Sequence, residues 1–293
     1  MKILTGTQFG ILAFSALTLF SCKKEEVTPT TDTDTYQSYE KHVELEGEDN
    51  MRDMGGYTGE NGKRVLFRKL FRSGELSGLT ENDKQIMLDL GIEQVIDLRT
   101  NTEINEHPDN LPTGVNSFHL PLIDEAPGSG SGTGGSYEDF IQAVISGQVD
   151  ATEVMINSAY NTIDSIKIAN WTTIFNHLED NKVTLWHCTA GKDRAGMTAA
   201  LVLSSLGVDR ATIIEDFLAS NDFLADYIEG TVAYMNAEYG NNAGEAMRPV
   251  LGVEIEYIEA FFTAIETNYG SVENFLNVLD VDIAKMQANF LEK

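Results

Sequence analysis

The segment His187-Cys188-Thr189-Ala190-Gly191-Lys192-Asp193-Arg194-Ala195-Gly196 decides the fold of this 293-residue chain. The apolar residues 183–186 before it are typical of a buried strand, and residues 193–206 have the pattern of a helix. A short turn between a strand and a helix brings a side chain to the helix N-terminus, where about four backbone amides lack intrahelical partners. Those amides, together with the helix dipole, form an anion-binding site.

The spacing Cys-x5-Arg predicts that this turn holds a nucleophile against a bound phosphate. Gly191 lets the backbone turn tightly and direct its amides inward, and Arg194 can hold two oxygens of a tetrahedral oxyanion. Both features favour the thiolate of Cys188, which is the reactive form of the nucleophile. Further substrate contacts are expected from the loop interior, namely Thr189, Ala190, Gly191 and Lys192.

Two other interpretations of the loop are weaker. A lone cysteine is usually a buried structural residue, but here a strand, a cysteine, a glycine, an arginine and a helix coincide. A nucleotide-binding P-loop fits poorly, because no glycine stands five residues before Gly191 and Asp193 occupies the position of its Ser or Thr.

The pattern His-Cys-x-x-Gly-Lys-Asp-Arg-x-Gly resembles the signature loop of cysteine-based protein phosphatases. It is most similar to the bacterial tyrosine and lipid phosphatases that carry Lys and Asp inside the loop. Other segments resemble that family in the same order, namely 50–57, 66–68, 71–77, 91–99 and 217–221. The resemblance, which runs from about Asn50 to Asn221, implies a phosphomonoester hydrolase with a phosphocysteine intermediate on Cys188. It implies tyrosine-phosphatase activity, with dual-specificity or phosphoinositide activity left open, and no metal or organic cofactor.

One departure from the family pattern bears on turnover. Family loops usually carry Thr or Ser after the arginine, whereas this chain has Ala195. The missing hydroxyl is the group thought to stabilise the departing thiolate when the phosphoenzyme breaks down. A phosphate-binding pseudophosphatase, or signalling module with little turnover, therefore stays as the alternative function. Arsenate reduction on the same loop is discouraged, because no second thiol follows in the folded region.

Two aspartates are candidates for the general acid that protonates the leaving group. Asp193 lies inside the loop, and Asp124 follows the apolar segment 115–122. The Gly- and Ser-rich tract 128–136 directly after Asp124 would suit a mobile flap that carries this residue over the substrate. The sequence leaves open whether one or both act.

Several other residues are expected to support the loop. Lys192 is expected either to be solvent-exposed or to contact a second phosphate or the substrate's own, and Arg72 is a candidate third member of a small cationic pocket with Lys192 and Arg194. His187 is expected to order the loop by hydrogen bonding rather than to act as a base. The remaining candidates for a supporting role, with plain structural pairing as the alternative, are Asp97, Arg99, Asn50, Arg52 and Asp53.

The N-terminal region predicts a lipid-anchored bacterial envelope protein. Residues 1–22 have the features of a lipoprotein signal peptide, with Cys22 as the lipidated residue after Leu19-Phe20-Ser21. Residues 23–40 are predicted to be a flexible linker, and residues 41–293 the catalytic domain. The expected location is periplasmic or surface-exposed, on the outer membrane, with the lipid as the only membrane contact.

The charge balance limits the partners. Lys and Arg total 20 against 46 Asp and Glu, a net charge of −26. Such a surface argues against nucleic acid as a partner and leaves a phosphorylated protein or a small phosphomonoester, such as an inositol phosphate or a phosphoinositide.

The predicted fold class is α/β, with a mostly parallel central sheet flanked by helices, as in protein tyrosine phosphatases. Strands are predicted near 64–72, 94–99, 115–122 and 183–187. Helices are predicted at 81–90, 137–146, 151–180 with a break, 193–206, 210–219, 222–239, 253–268 and 272–291 with a break. The site is expected at the carboxyl end of the strand that ends at His187.

Overall fold

The structure is a computed structural model that describes residues 41–124, 137–163, 165–240 and 242–293. Residues 40–293 form one compact unit. The predicted signal peptide, Cys22, the linker and the tract 128–136 lie outside the described residues. None of the described helices combines the length and the apolar character that a membrane span needs.

A five-stranded sheet with the order β1-β2-β5-β3-β4 organises the domain. Its strands are β1 (Arg52–Asp53), β2 (Leu70–Ser73), β3 (Gln94–Asp97), β4 (Asn116–His119) and β5 (Thr184–His187). β1 pairs antiparallel with β2, and the pairs β2–β5, β5–β3 and β3–β4 are all parallel. The predicted α/β class with a mostly parallel sheet is confirmed.

Thirteen α-helices are present in the described residues. They are α1 (Glu81–Asp89), α2 (Asn101–Glu106), α3 (Tyr137–Ile145), α4 (Ala151–Tyr160), α5 (Ser165–Glu179), α6 (Arg194–Ser205), α7 (Arg210–Leu218), α8 (Ser220–Phe223), α9 (Ala225–Tyr239), α10 (Ala243–Leu251), α11 (Ile255–Tyr269), α12 (Val272–Val278) and α13 (Ile283–Phe290).

The sheet separates two apolar clusters, because alternate residues of a strand point to opposite faces. One face carries Leu70, Ile96 and Trp186, which belong to the main core with α5, α6, α7 and α11. The other face carries Phe71, Val95 and Leu185, which pack with Met87 of α1. Nearly all residues of helix α6 are buried. Because the helix is packed on nearly all sides, its N-terminus is held at the edge of the sheet.

The elements differ from the predictions where local signals are weak. β2 begins only at Leu70, because Arg68 has a φ of +59°, which ends an extended strand. The predicted helices omitted α2, which is short and polar, and α10, which contains Pro249. β4 is a mostly exposed edge strand, although its flanking residues are apolar.

Candidate active site

The loop 188–193 begins where three parallel strands end together. His187 of β5 stands in register with Ser73 of β2 and with Asp97 of β3. The polar residues that follow these strands therefore meet at one edge of the sheet. This is the edge where open α/β sheets bind ligands, and it is where the sequence predicted the site.

Gly191 is the residue that lets the loop close against β2. Its φ is +71°, a conformation that side chains rarely adopt. A Cβ atom built there would lie 2.4 Å from the carbonyl carbon and oxygen of Ser73. The loop consequently rests directly on the backbone of the neighbouring strand.

The carbonyl groups of residues 189–192 all accept hydrogen bonds from groups outside the loop. Glu75 N donates to Thr189 O at 2.8 Å, and Asn50 Nδ2 donates to Ala190 O at 2.9 Å. Arg72 Nη2 donates to both Gly191 O at 2.8 Å and Lys192 O at 3.0 Å. In a planar trans peptide the N–H points opposite to the C=O. The amides of residues 190–193 therefore face the interior of the loop and form a cradle for an anion.

Cys188 lies at the base of this cradle and is only 2% exposed. The guanidinium groups of Arg72 and Arg194 both lie close enough to Cys188 for electrostatic interaction. Burial lowers the pKa of Arg194. The hydrogen bonds from Arg194 to Glu103 and the electrostatic effect of the nearby Cys188 outweigh burial and raise this pKa above its usual range. Cys188 and Arg194 are thus close enough to interact electrostatically.

Arg194 is held by a carboxylate that the sequence did not single out. Its Nη1 and Nη2 donate to Glu103 Oε2 and Oε1 at 2.8 and 2.7 Å. Glu103 also accepts hydrogen bonds from the Thr189 hydroxyl and, at 2.9 Å, from the backbone amide of Thr100. Since Thr100 in turn caps α2 through Glu103 N, a helix N-terminus fixes the carboxylate that orients the arginine.

Asp193 and Lys192 form an ion pair inside the loop. Lys192 Nζ lies 2.8 Å from Asp193 Oδ2 and donates to Gly252 O at 2.9 Å. Lys192 is 5% exposed, so the expectation of a solvent-exposed side chain is wrong. The other carboxylate oxygen, Asp193 Oδ1, is buried and has no hydrogen-bond partner among the described residues.

Asp124 has a different environment from Asp193. It pairs with Lys167 of α5 at 3.1 Å, and its side chain is 56% exposed. This ion pair places Asp124 on the surface of α5. The tract that would carry it as a flap lies outside the described residues.

His187 is tied to a buried cluster that reaches across the strand ends. Its Nδ1 lies 3.2 Å from Cys188 O and its Nε2 lies 3.0 Å from Asp109 Oδ2. Asp109 and Asp97 each lie 2.7 Å from Arg99 Nη2. Burial would raise the pKa of Asp109, but His187 and Arg99 lower it.

The same cluster has the side chains of a candidate metal site. Asp97, Asp109 and His187 offer three ligand atoms within 4.8 Å of one another. However, the guanidinium of Arg99 already pairs with both carboxylates, at 2.7 Å from each. We assign the cluster to the positioning of His187, which agrees with both the supporting role and the salt bridge considered for Asp97 and Arg99.

A second buried cluster braces the loop from the other side. Asp216 of α7 pairs with Arg52 at 3.1 Å and with Arg72 at 2.7 Å. Arg72 is completely buried and bonds the loop carbonyls. It is therefore a brace and not the pocket cation considered from the sequence.

The three polar residues of the segment 50–53 have separate roles. Asn50 bonds the loop directly, and Arg52 donates to Asn50 Oδ1 at 2.6 Å. Asp53 accepts instead from Gly55 N and Arg68 N at 2.7 and 2.6 Å, which holds the turn between β1 and β2. Asn50 thus contacts the loop directly and Arg52 acts on it through Asn50, whereas these two contacts of Asp53 do not reach the loop.

Sequence reasoning missed Glu103, Asp109, Asp216 and Glu48, the last of which is buried and accepts hydrogen bonds from Asn50 N and Gly74 N at 2.9 and 2.6 Å. For Glu103 a signal exists, since Thr100-x-x-Glu103 is a capping-box pattern close after β3. For the others the sequence holds only isolated acidic residues, and only the fold brings them to the loop.

The sequence of this chain is similar to those of known phosphatases over most of its length. The model of the tyrosine phosphatase family matches residues 43–292, which includes the helices beyond residue 222 that lay outside the resemblance in the sequence. A candidate tyrosine-protein phosphatase of Cupriavidus necator is 31% identical over 246 residues, covering 83% of this chain and 85% of that protein.

Two further relatives are more distant. The triple specificity protein phosphatase PtpB of Mycobacterium tuberculosis is 27% identical over 277 residues, covering 84% of this chain and 96% of that protein. A tyrosine-protein phosphatase of Nostoc commune is 27% identical over 225 residues, covering 74% and 71%. Given the match over nearly the whole described domain, the chain belongs to the tyrosine phosphatase family and is a phosphatase.

Proposed function

We propose that the chain hydrolyses phosphomonoesters, with phosphotyrosine in proteins as the leading substrate, through a phosphocysteine intermediate on Cys188. The observation that carries this proposal is the outward bonding of the carbonyls of residues 189–192, which turns the amides of residues 190–193 toward the interior of the loop that follows Cys188. Amides aimed at developing negative charge are the largest single source of stabilisation in many transition states.

The proposed reaction has two steps. Cys188 Sγ forms a bond to phosphorus as the bond to the ester oxygen breaks, while Arg194 and the loop amides hold the remaining oxygens. Asp193 is the proposed acid, since its Oδ1 has no hydrogen-bond partner in the part of the chain that the structure describes, and it gives the leaving oxygen a proton. In the second step water attacks phosphorus, the same carboxylate takes a proton, and the S–P bond breaks.

The test is hydrolysis of a generic aryl phosphate by the purified chain. Activity is expected to disappear in Cys188→Ser and to be inhibited by vanadate, which takes the place of the phosphoryl group. A phosphorylated protein species should accumulate at short times in the wild type and be absent from the serine variant. Equal activity in the wild type and Cys188→Ser would contradict the proposal.

A second candidate function is favoured by one observation, the absence of a hydroxyl at Ala195. It is phosphate capture with little turnover, as in a pseudophosphatase. One stoichiometric burst of product without a following steady state would identify it. A substrate panel of phosphotyrosine, phosphoserine, phosphoinositide and inositol phosphate then separates dual-specificity and lipid activity from strict phosphotyrosine activity.

The location is a separate proposal. We propose that Cys22 is lipidated and that the chain is anchored in the bacterial envelope, on the strength of the signal-like residues 1–22. Metabolic labelling with a fatty acid should mark the wild type and not Cys22→Ser. Labelling of both chains, or of neither, would contradict it.

A further inference from the structure

Two hydrogen bonds fix the first half of the nucleophile loop. Thr189 O accepts from Glu75 N at 2.8 Å, and Ala190 O accepts from Asn50 Nδ2 at 2.9 Å. A peptide plane joins the C=O of one residue to the N–H of the next, so these two carbonyls set the direction of the N–H groups of Ala190 and Gly191. Half of the four amides of the cradle therefore depend on where Asn50 and Glu75 are held.

Glu48 connects the two chain segments that supply these donors. Its Oε1 accepts hydrogen bonds from Asn50 N at 2.9 Å and from Gly74 N at 2.6 Å. Asn50 lies just before β1, and Gly74 follows directly after β2 and precedes Glu75. One buried oxygen atom thus ties together two segments that are separate in the sequence, and each segment donates one bond to the loop.

Gly74 lets the carboxylate and the loop approach the same point. A Cβ atom built on Gly74 would lie 2.7 Å from Glu48 Oε1 and 3.1 Å from Thr189 O. Both distances are shorter than a side chain normally tolerates. The carboxylate, Gly74 and the loop backbone are therefore closely packed, and a movement of Glu48 is passed on to Thr189 through a single residue.

Glu48 itself is placed away from the reacting atoms. It is 8% exposed, and its Oε2 is buried with no hydrogen-bond partner among the described residues. Its bonds to Asn50 and Gly74 lie on the carbonyl side of the loop, whereas the anion is expected on the amide side. Any effect of Glu48 on the reaction must therefore pass through the loop.

We infer that Glu48 is a positioning residue of the phosphatase reaction, which holds the two donors to the loop carbonyls and so aims the amides of Ala190 and Gly191 at the phosphoryl group. The inference rests on the proposed function, which places the phosphate in the loop. Because one oxygen accepts both bonds, the reach of the Glu48 side chain matters and its charge does not. Amides aimed at developing charge stabilise the transition state, so a loss of aim lowers kcat more than it raises KM.

Two substitutions separate the reach of the side chain from its charge. Glu48→Gln removes the charge and keeps an oxygen that can accept both bonds. Glu48→Asp keeps the carboxylate but shortens the side chain by one C–C bond, about 1.5 Å, so that one oxygen no longer reaches both amides. Glu48→Asp is expected to lower kcat for an aryl phosphate by about tenfold to a hundredfold, with a smaller change in KM. Glu48→Gln should keep the wild-type kcat.

Equilibrium binding of orthovanadate tests the same residue without requiring turnover. Vanadate occupies the cradle as a phosphate does, and it is held by the same amides. The affinity of the full chain for vanadate should fall by about tenfold in Glu48→Asp, since misdirected amides stabilise an oxyanion less. In Glu48→Gln the affinity should match that of the wild type.

Asp53 provides a matched control for loss of stability alone. It is a completely buried carboxylate that accepts two backbone hydrogen bonds, from Gly55 N and Arg68 N, and these contacts do not reach the loop. Since they use both of its oxygens, Asp53→Asn loses one of the two bonds, as Glu48→Asp does. Urea unfolding should show reduced stability in both variants, whereas kcat and vanadate affinity should fall only in Glu48→Asp.

Asn50→Asp tests the connection at its other end and leaves Glu48 in place, so it remains informative if Glu48→Asp does not fold. The aspartate keeps an acceptor for Arg52, which donates to Asn50 Oδ1 at 2.6 Å, but an ionised carboxylate cannot donate to Ala190 O. This variant should also lose kcat and vanadate affinity by about tenfold. Wild-type values in Asn50→Asp would contradict the inference.

Two results with Glu48 itself would overturn the inference. One is a Glu48→Asp variant that keeps the wild-type kcat and vanadate affinity. The other is a Glu48→Gln variant that loses as much as Glu48→Asp, because charge rather than reach would then matter. Failure of the proposed function is distinct, since the wild type would then hydrolyse aryl phosphate no faster than Cys188→Ser, and vanadate binding would still decide the role of Glu48.

Discussion

Glu103 and Arg194 form a two-point ion pair, with Nη1 and Nη2 of the arginine 2.8 and 2.7 Å from the two carboxylate oxygens. Burial alone would raise the pKa of Glu103, but Arg194 lowers it well below its usual range. The carboxylate is therefore ionised throughout the neutral range. It fixes the guanidinium in one orientation before substrate arrives, which removes a cost from the transition state.

Replacement of Glu103 is expected to slow the reaction because it frees Arg194 to rotate. Glu103→Gln should lower kcat/KM for an aryl phosphate by about tenfold to a hundredfold, the range of a small misplacement of a catalytic group. The matched control is Glu106→Gln, an exposed residue of the same helix α2. A kcat/KM higher than wild type in Glu103→Gln would show instead that Glu103 competes with phosphate for the arginine.

Asp216 is expected to be essential for stability because it lies between two buried arginines. Asp216→Asn should reduce the free energy of unfolding by about 3–5 kcal/mol, since two buried charges lose their partner. Urea unfolding measures this, with the exposed Glu215→Gln on the same helix as the control. A loss no larger than that of the control would show that the loop carbonyls alone balance Arg72.

The pH dependence of the contribution of Asp216 to stability follows from the direction in which the pKa of Asp216 is shifted. Burial would raise the pKa of Asp216, but Arg52 and Arg72 lower it below the ordinary 3.8. The contribution of Asp216 to the free energy of unfolding is present when the pH is above the ordinary pKa, and it is lost as the pH falls through the lowered pKa of the folded state. The wild type should therefore lose stability in acid more steeply than Asp216→Asn.

Glu48 is expected to show the opposite pH dependence. Burial raises its pKa from 4.5 to about 7. Its contribution to stability is fully present below pH 4.5 and is lost as pH rises through about 7. Over this interval Glu48→Gln should become more stable relative to wild type by roughly 2–3 kcal/mol. Chemical unfolding at several pH values measures the difference, and parallel profiles of the two proteins would contradict it.

The general acid is identified by comparing leaving groups. Asp193→Asn should slow hydrolysis of an alkyl phosphate by about a hundredfold or more, and hydrolysis of a nitrophenyl phosphate much less, because that leaving group needs no proton. Asp124→Asn should affect both substrates alike and only slightly, since Asp124 is paired with Lys167 on the surface. The reverse pattern would assign the acid to Asp124 and require its segment to move.

How much of the site the sequence predicted depends on how local each signal is. Cys188, Gly191 and Arg194 are separated by a few residues, so the chemistry of the loop follows from their spacing and the flanking strand and helix. Glu48 and Asp216 lie far from the loop in the sequence, and an isolated carboxylate gives no sign of its partner. The environment of Lys192 was not predictable for the same reason, since its partner Gly252 is 60 positions away.

Ala195 gives a prediction about the second step of the reaction. The residue is completely buried, and its carbonyl accepts a hydrogen bond from Trp186 Nε1 at 3.0 Å. Ala195→Ser adds a single oxygen, whereas Ala195→Thr adds a larger group to a packed core and carries a risk of strain. A hydroxyl that stabilises the departing thiolate should speed phosphoenzyme hydrolysis roughly tenfold, as expected for a hydrogen bond to a charged group.

Rapid-mixing kinetics with an aryl phosphate separate the two steps of that reaction. The burst reports formation of the phosphoenzyme and should be unchanged in Ala195→Ser, because the loop amides and Arg194 remain in place. The steady-state phase reports breakdown and should become faster. If the burst and the steady state both match the wild type, a hydroxyl at this position does not limit turnover, and the loop achieves thiolate departure by its amides and Arg194 alone.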